Sequence, residues 1–550
     1  MFKILNTNQN QDLLTRLLTI RWITDNVEDF LNPSWDKYRK DPFEFEDMSK
    51  AVDRILTAIK NKQRIVVFGD YDVDGVTSAF SVFYFIRNFL NYKDITIRLP
   101  SRLKDWYWIK AHHIEEIKNL WASLIITVDN GITSVKEVEL ANKLGIDVII
   151  TDHHKSTTDL PPALAIINPN VGWYPFKWLA GVGVAFKLCS ALASKKLNKQ
   201  QKNEFLDFFL PIVALGTIAD IVPLIDENRL FVKKWLELLN AGKWPQALQN
   251  FISHLNIKSI DTFHISFMIA PRLNASWRMK DPYEALKTLL YGSSQKRVEH
   301  INTIENLNTQ RKGLQDELIK KAEQLIDKKQ AILVAVSNEF HEGIIWLVAG
   351  KLTEKYNKPS VVIAIDEQKW VGVASLRSPA YFSIIDLLKD SQHLLKRFGG
   401  HSQAWWFTIK IDKLEELINQ IYAYGKQNID PKLTKKVLMI DTKVFDGEMQ
   451  QLQDVPQLAP FGEGNPQPVL LIEWVQLQDI LVVGKNGNSH LKLIGNKENQ
   501  NFPILFWKKW EMVDKFEKWE IIDIIGKIKN DSFNGGFMVE GIEVLKQIQD

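Results

Sequence analysis

The spacing of hydrophobic and polar positions changes character along the chain. Between residues 50 and 151, short apolar runs alternate with stretches whose apolar residues recur every third or fourth position. Apolar runs bounded by turn residues read as buried strands, and three-to-four spacing reads as a helix with one apolar face. This predicts strands at Ile65–Phe68, Ile95–Leu99, Leu124–Val128 and Asp147–Thr151. It predicts helices at 50–61 (Ala51, Ile55, Leu56 and Ile59 on one face), Val76–Leu90, His113–Leu120 and Val135–Leu144. Strict alternation of this kind argues an α/β domain around a largely parallel sheet.

Residues 230–300 read as mainly helical, interrupted at Pro271-Arg272-Leu273-Asn274-Ala275. Residues 303–329 form a long polar helix whose charges (Arg311, Lys312, Lys320, Lys321) suit a solvated connector. A second α/β unit follows, with strands Ile332–Val336 and Val361–Ile365 around the helix Ile345–Tyr356, and helix Lys413–Lys426 closing it. Beyond 430 the pattern becomes short β-like runs: Val469–Ile472, Ile480–Val483, Leu491–Leu493, Ile504–Phe506 and Ile521–Ile525. These suggest a small barrel or sandwich. The first 49 residues look irregular, with short helices at Gln11–Leu18 and Val27–Leu31. The domain reading is 1–49, an entry segment; 50–235, α/β; 236–329, helical region and connecting helix; 330–428, second α/β; and 429–550, a β-barrel.

Composition adds limits. The chain is 45% hydrophobic and 25% charged, ordinary for a soluble globular protein. The net charge of +3 means that a nucleic-acid surface must be a local patch. A single cysteine, Cys189, lies in an apolar run, so it reads as a core thiol and excludes an internal disulfide. There is no charged-then-apolar leader and no apolar run of membrane-spanning length, which reads as a cytoplasmic protein without membrane contact.

Acids then change the picture. Asp70, Asp72 and Asp74 follow the first strand, Asp129-Asn130-Gly131 the third, and Asp152-His153-His154 the fourth. Sites in open parallel sheets lie at the carboxyl ends of strands, so these clusters can converge. Asp220 sits inside the apolar run Ala214–Pro223, and an acid there is rarely buried unless paired or metal-bound. Asp70, Asp72, Asp74, Asp129, His153 and Asp220 are mostly hard oxygen ligands with one imidazole. That set suits two Mn²⁺ or Mg²⁺ ions better than structural zinc. Asp129 could bridge both ions, and a pair of metals about 3.5–4 Å apart activates water and stabilises the leaving oxygen in phosphoryl hydrolysis. His154 could donate to a phosphate oxygen or leaving group. A lone acidic turn would instead be a solvated surface, and His112-His113 is assigned nothing.

Asp-Tyr-Asp-Val-Asp-Gly, Val-Asp-Asn-Gly, Thr-Asp-His-His and Gly-Thr-Ile-Ala-Asp, in this order, resemble the four motifs of the DHH phosphoesterase superfamily. Pro-Arg-Leu-Asn-Ala, Ser-Leu-Arg-Ser (375–378), Gly-Gly-His (399–401) and Pro-Phe-Gly-Glu-Gly-Asn-Pro (460–466) resemble its RecJ family. The resemblance implies a DHH domain, a DHHA1 domain and a C-terminal OB-fold. It implies a 5′→3′ exonuclease for single-stranded DNA, dependent on Mn²⁺ or Mg²⁺ and acting in recombination and repair. It implies metal ligation by Asp70, Asp72, Asp74, Asp129, His153 and Asp220, with His154 and Asp129 catalytic. Arg272 and Asn274 would line the DNA path, and Ser375, Arg377, Ser378 and His401 would hold a phosphate. Guanidinium, hydroxyls and imidazole suit that task. A single-strand-binding protein and a RecQ-type helicase are implied partners, and a monomer is expected. The alternatives are a DHH–DHHA1 phosphodiesterase for oligonucleotides or cyclic dinucleotides, and an inactive DNA-binding scaffold.

Where the resemblance expects glycine, tryptophan often stands: Trp22, Trp106, Trp108, Trp121, Trp277, Trp346, Trp406, Trp507 and Trp519. The chain has 18 tryptophans and 27 glycines, and moving about a dozen residues from one to the other restores an average glycine content. The one-directional swap predicts UGA codons that specify glycine. Trp106-Tyr107-Trp108 taken as tryptophan would instead offer a base-stacking platform.

Overall fold

The structure, a computed structural model, describes residues 2–546 apart from 102–108, 157–158, 244–245, 258, 291–293, 402, 485–488 and 532–534. Trp106 and Trp108 therefore lie outside the described residues.

The first unit is a five-stranded, all-parallel sheet in the order Ile95–Arg98, Arg64–Gly69, Ala122–Val128, Asp147–Thr151, Ala165–Ile167. Its central strands are buried on both faces, which is why they read as unbroken apolar runs. Helices Met48–Lys60, Val73–Tyr84, Gly181–Lys196 and Lys199–Ala219 cover one face, and Cys189 is buried among them.

Pro271 does not interrupt a helix. It falls at the start of Ala270–Met279, directly after the π-helical turn His264–Ile269, so the helix is distorted there and runs on. The connecting helix also begins earlier than its polarity indicated, running 32 residues from Ser294 to Leu325. The second unit is a five-stranded sheet in the order Leu395–His401, Ala404–Lys410, Val371–Arg377, Ser360–Asp366, Leu333–Ser337, with only the last pair parallel.

The C-terminal unit is a barrel. Leu470–Val483 pairs with both His490–Lys497 and Ile521–Asn530, closing the ring through Gln500–Phe506 and Phe537–Lys546. The runs expected at 469–472 and 480–483 are one 14-residue strand, its pattern broken by register shifts at 472–475 and 477–479. The opening residues, expected to be irregular, contain a strand. Phe2–Asn6 pairs in parallel with Leu438–Val444, and Leu13, Leu17 and Leu18 enter the barrel's core. Arg16, fully buried, holds Glu448 through two hydrogen bonds of 2.8 and 2.5 Å.

The 458–466 segment fastens this barrel to the first unit. Buried Arg229 donates to the carbonyls of Leu458 (3.2 Å), Ala459 (2.9 Å) and Pro460 (3.4 Å). The Leu224 N–H donates to the Glu463 carbonyl at 2.7 Å, and the Thr262 hydroxyl to that of Phe461 at 2.6 Å. Leu224 follows shortly after Asp220, so the barrel docks beside a predicted metal ligand. Among the described residues no helix is long and apolar enough to cross a membrane.

Candidate metal centre

Each acid is placed by a local device. Asp70 follows the strand Arg64–Gly69, and its carboxylate accepts the Tyr71 N–H at 2.7 Å. Asp72 is the N-cap of helix Val73–Tyr84 and accepts the Gly75 N–H at 3.1 Å. The turn is tight because Gly75 lacks a side chain: a Cβ there would lie 2.6 Å from the Asp70 backbone. Asp74, in the helix's first turn, accepts the N–H groups of Gly181 (2.7 Å) and Val182 (2.8 Å), the N-terminus of helix Gly181–Lys196. Asp129 follows its strand with φ of 58°, a left-handed residue that turns the carboxylate inward. Asp220 caps the C-terminal end of helix Lys199–Ala219.

Three of these carboxylates, Asp74, Asp129 and Asp220, converge on His153. Its Nε2 lies 3.2 Å from Asp129, 3.6 Å from Asp220 and 3.9 Å from Asp74. The ligand atoms of Asp74, His153 and Asp220, and separately those of Asp129, His153 and His154, lie within 4.8 Å of one another. Among the described residues no lysine or arginine pairs with these acids, and the one cation beside them is His154. Burial, then the neighbouring Asp72 charge, pushes Asp70 up to about 8 and Asp220 likewise to about 8. Burial, then Asp220, raises Asp74 to about 7, while burial and Asp74 hold Asp129 far above the usual carboxylate range. Burial and the His154 charge push His153 down, towards the neutral imidazole that a cation requires. Asp129 Oδ1 and His153 Nε2 are buried and make no hydrogen bond. Crowded acids with orphaned ligand atoms beside a neutral imidazole fit divalent cations bound by oxygen and nitrogen.

Asp152 has a different job, one the sequence left unassigned. It accepts the N–H groups of Ile132 (3.0 Å), His153 (2.7 Å) and His154 (3.1 Å), and its Oδ1 lies 2.7 Å from His154 Nδ1. Burial opposes charge on both partners but is outweighed: the ion pair holds Asp152 at about 2 and lifts His154 to about 10. His154 is thus a fixed imidazolium at the edge of the acid cluster. Spacing alone gives Asp152 the same standing as the ligand acids; only its partners set it apart.

The expected DNA contacts are distributed differently. Asn274 Oδ1 accepts the Val73 N–H at 3.2 Å and the Trp277 indole N–H at 2.7 Å, bracing the turn that carries Asp72 and Asp74. Arg272 is paired with Glu305 (2.5 and 3.1 Å) and donates to the Met268 carbonyl, so it ties its helix to the connecting helix. Ser375 and Ser378 are buried, and the Ser378 hydroxyl donates within its own turn. Arg377 lies over the Trp346 ring at 5.3 Å. The backbone of His401 pairs with Ala404; its side chain lies outside the described residues. A stack links these groups to the acids: Tyr71 packs on Trp277 at 4.8 Å, and the Arg278 guanidinium sits 3.9 Å from Trp277 and 4.1 Å from Trp346.

Residues 64–217 match the DHH family N-terminal domain, 329–427 the DHHA1 domain and 440–540 the RecJ OB domain. The chain is 33% identical over 503 residues to the single-stranded-DNA-specific exonuclease RecJ of Bacillus subtilis, matching 90% of this chain and 62% of that protein. It is 31% identical over 472 residues to RecJ of Escherichia coli, with 81% of this chain and 80% of that one covered. Its fold matches RecJ from Thermus thermophilus in complex with Mn²⁺, with a TM-score of 0.81 at 23% identity, over 100% of this chain and 80% of that one. The acid cluster at the strand ends, the three domain matches in order and these relatives place the chain in one family: it belongs to the RecJ family.

Proposed function

We propose that this protein is a 5′→3′ exonuclease specific for single-stranded DNA, hydrolysing phosphodiester bonds with two Mn²⁺ or Mg²⁺ ions and acting in recombination and repair. The observation that carries the reading is the convergence of Asp74, Asp129 and Asp220 on His153. Asp70, Asp72, Asp74, Asp129, His153 and Asp220 hold the cations, which supply an activated water and stabilise the leaving oxygen. His154, kept protonated by Asp152, donates to a phosphate oxygen. Ser375, Arg377, Ser378 and His401 hold a backbone phosphate, with Arg377 supplying the charge. Asn274 and Arg272 fix the helix between these two places. The barrel offers a groove tolerant of any base sequence. The reading includes action as a cytoplasmic monomer alongside a single-strand-binding protein and a RecQ-type helicase.

Digestion of 5′-labelled single-stranded DNA with Mn²⁺, beside a duplex and a dinucleotide, tests it. Labelled nucleotide released first from the single strand, with the duplex spared, is the expected result. Cleavage of the dinucleotide alone supports the short-oligonucleotide phosphodiesterase, and cleavage of neither overturns both enzymatic readings.

A further inference from the structure

Five tryptophans occupy left-handed backbone: Trp22 (φ 58°), Trp121 (61°), Trp370 (53°), Trp474 (58°) and Trp519 (71°). Bulky residues are outliers there, because Cβ crowds the neighbouring carbonyl. The other aromatic residues obey that rule. The chain has 29 phenylalanines and 12 tyrosines, and none of those described has a positive φ. The five are also 58–92% exposed, so no packing repays the conformation. Trp235 behaves otherwise: it lies in helix Asp226–Asn240, fully buried.

Each of the five stands where a specific backbone device calls for glycine. Trp22 follows the C-cap of helix Leu13–Ile20; its N–H donates to the Thr19 carbonyl and the Ile23 N–H to that of Leu18, both at 3.0 Å. That is the Schellman ending, whose left-handed residue is usually glycine. Gly145 (φ 72°) and Gly242 (φ 75°) end two other helices of this chain with the same bond pattern. Trp121 holds the equivalent place after helix Ala111–Asn119, donating to the Lys118 carbonyl at 2.9 Å. Trp370 closes the hairpin between Ser360–Asp366 and Val371–Arg377. Trp474 sits in the register shift between Ile472 and Val475, a bulge position favouring left-handed glycine. Trp519 is third in the turn Glu517–Glu520, closed by a 3.3 Å hydrogen bond, and a positive φ there is the type II signature.

We infer that the polypeptide made in the source cell carries glycine at positions 22, 121, 370, 474 and 519, encoded by UGA read by a glycine transfer RNA. Trp370 and Trp474 enter this set on conformation alone, since the motifs gave no reason to suspect them. The inference is independent of the catalytic reading, because it rests on backbone geometry away from the acids. If the same codon stands at 277 and 346, Arg278 and Arg377 lose the rings stacked on them and face the path between acids and phosphate holder.

The test is peptide mass spectrometry of the protein purified from its source, read beside the gene. Tryptic cleavage after Lys369 and Arg377, and after Lys518 and Lys527, should yield the peptides 370–377 and 519–527, each with glycine as its first residue. UGA codons and glycine masses at the five positions are expected; UGG codons or tryptophan masses overturn the inference. As a second readout, recombinant protein with glycine at all five positions should melt higher than the tryptophan form, while Trp235→Gly should melt lower. Equal or lower melting of the five-glycine form counts against the inference.

Discussion

The acid basin and the path leading out of it follow opposite rules. In the basin, polar groups are buried and glycines are kept where backbones touch. A Cβ on Gly181 would lie 2.6 Å from Asp129, and one on Gly216 would lie 2.4 Å from the Thr77 hydroxyl. Outside it, between Tyr71 and Arg377, large rings fill the space: Trp277 and Trp346 sandwich Arg278, and the Arg377 guanidinium lies over Trp346. The basin is built to bring charges together, whereas the path covers its cations.

Asp129→Ala should lower nucleotide release by on the order of a thousandfold or more, because Asp129 faces the other ligands of the cluster. Calorimetric Mn²⁺ titration should show weakened binding; unchanged cleavage would remove the basin from the chemistry. Arg229→Ala should cost about 2 kcal/mol in denaturant unfolding, since it removes the donor to the Ala459 carbonyl, whereas those of Leu458 and Pro460 keep the Asn465 amide. A negligible loss would mean that the barrel is docked by other contacts. Asp152→Asn should lower turnover about a hundredfold by removing the charged partner of His154, with Mn²⁺ affinity little changed. Equal loss of metal would instead make Asp152 part of the ligand set.

Two smaller effects probe the path. Arg377→Ala should raise KM for single-stranded DNA about tenfold, roughly 1.4 kcal/mol, with kcat and metal binding preserved. A fall in kcat alone would place Arg377 with the catalytic groups. Trp121→Gly should stabilise the fold by about 1 kcal/mol, measured by thermal unfolding, because it relieves a left-handed backbone at an exposed site. Destabilisation would mean that the exposed ring makes up for its conformation.

Legibility in the sequence follows the same division. The parallel sheet was readable because its strands are buried on both faces and so appear as unbroken apolar runs. The candidate ligands were readable because Asp70 and Asp129 end such runs, Asp72, Asp74 and His153 follow within a few residues, and Asp220 interrupts one. The strand Phe2–Asn6 was not, because its partner Leu438–Val444 lies near the other end of the chain. Pro271 looked like a breaker because sequence shows the residue and not its position in the helical turn.

The sequence by itself determined that acids gather at the carboxyl ends of a parallel sheet, since chain direction and strand burial are local properties. It also marked several glycine positions filled by tryptophan. Only the tertiary structure decided what each polar group does. Asp74 is held by the N-terminus of a distant helix, Asp152 serves His154, and Arg272 turns to Glu305. Those roles depend on which partner comes within hydrogen-bond reach, and the folded chain alone sets that.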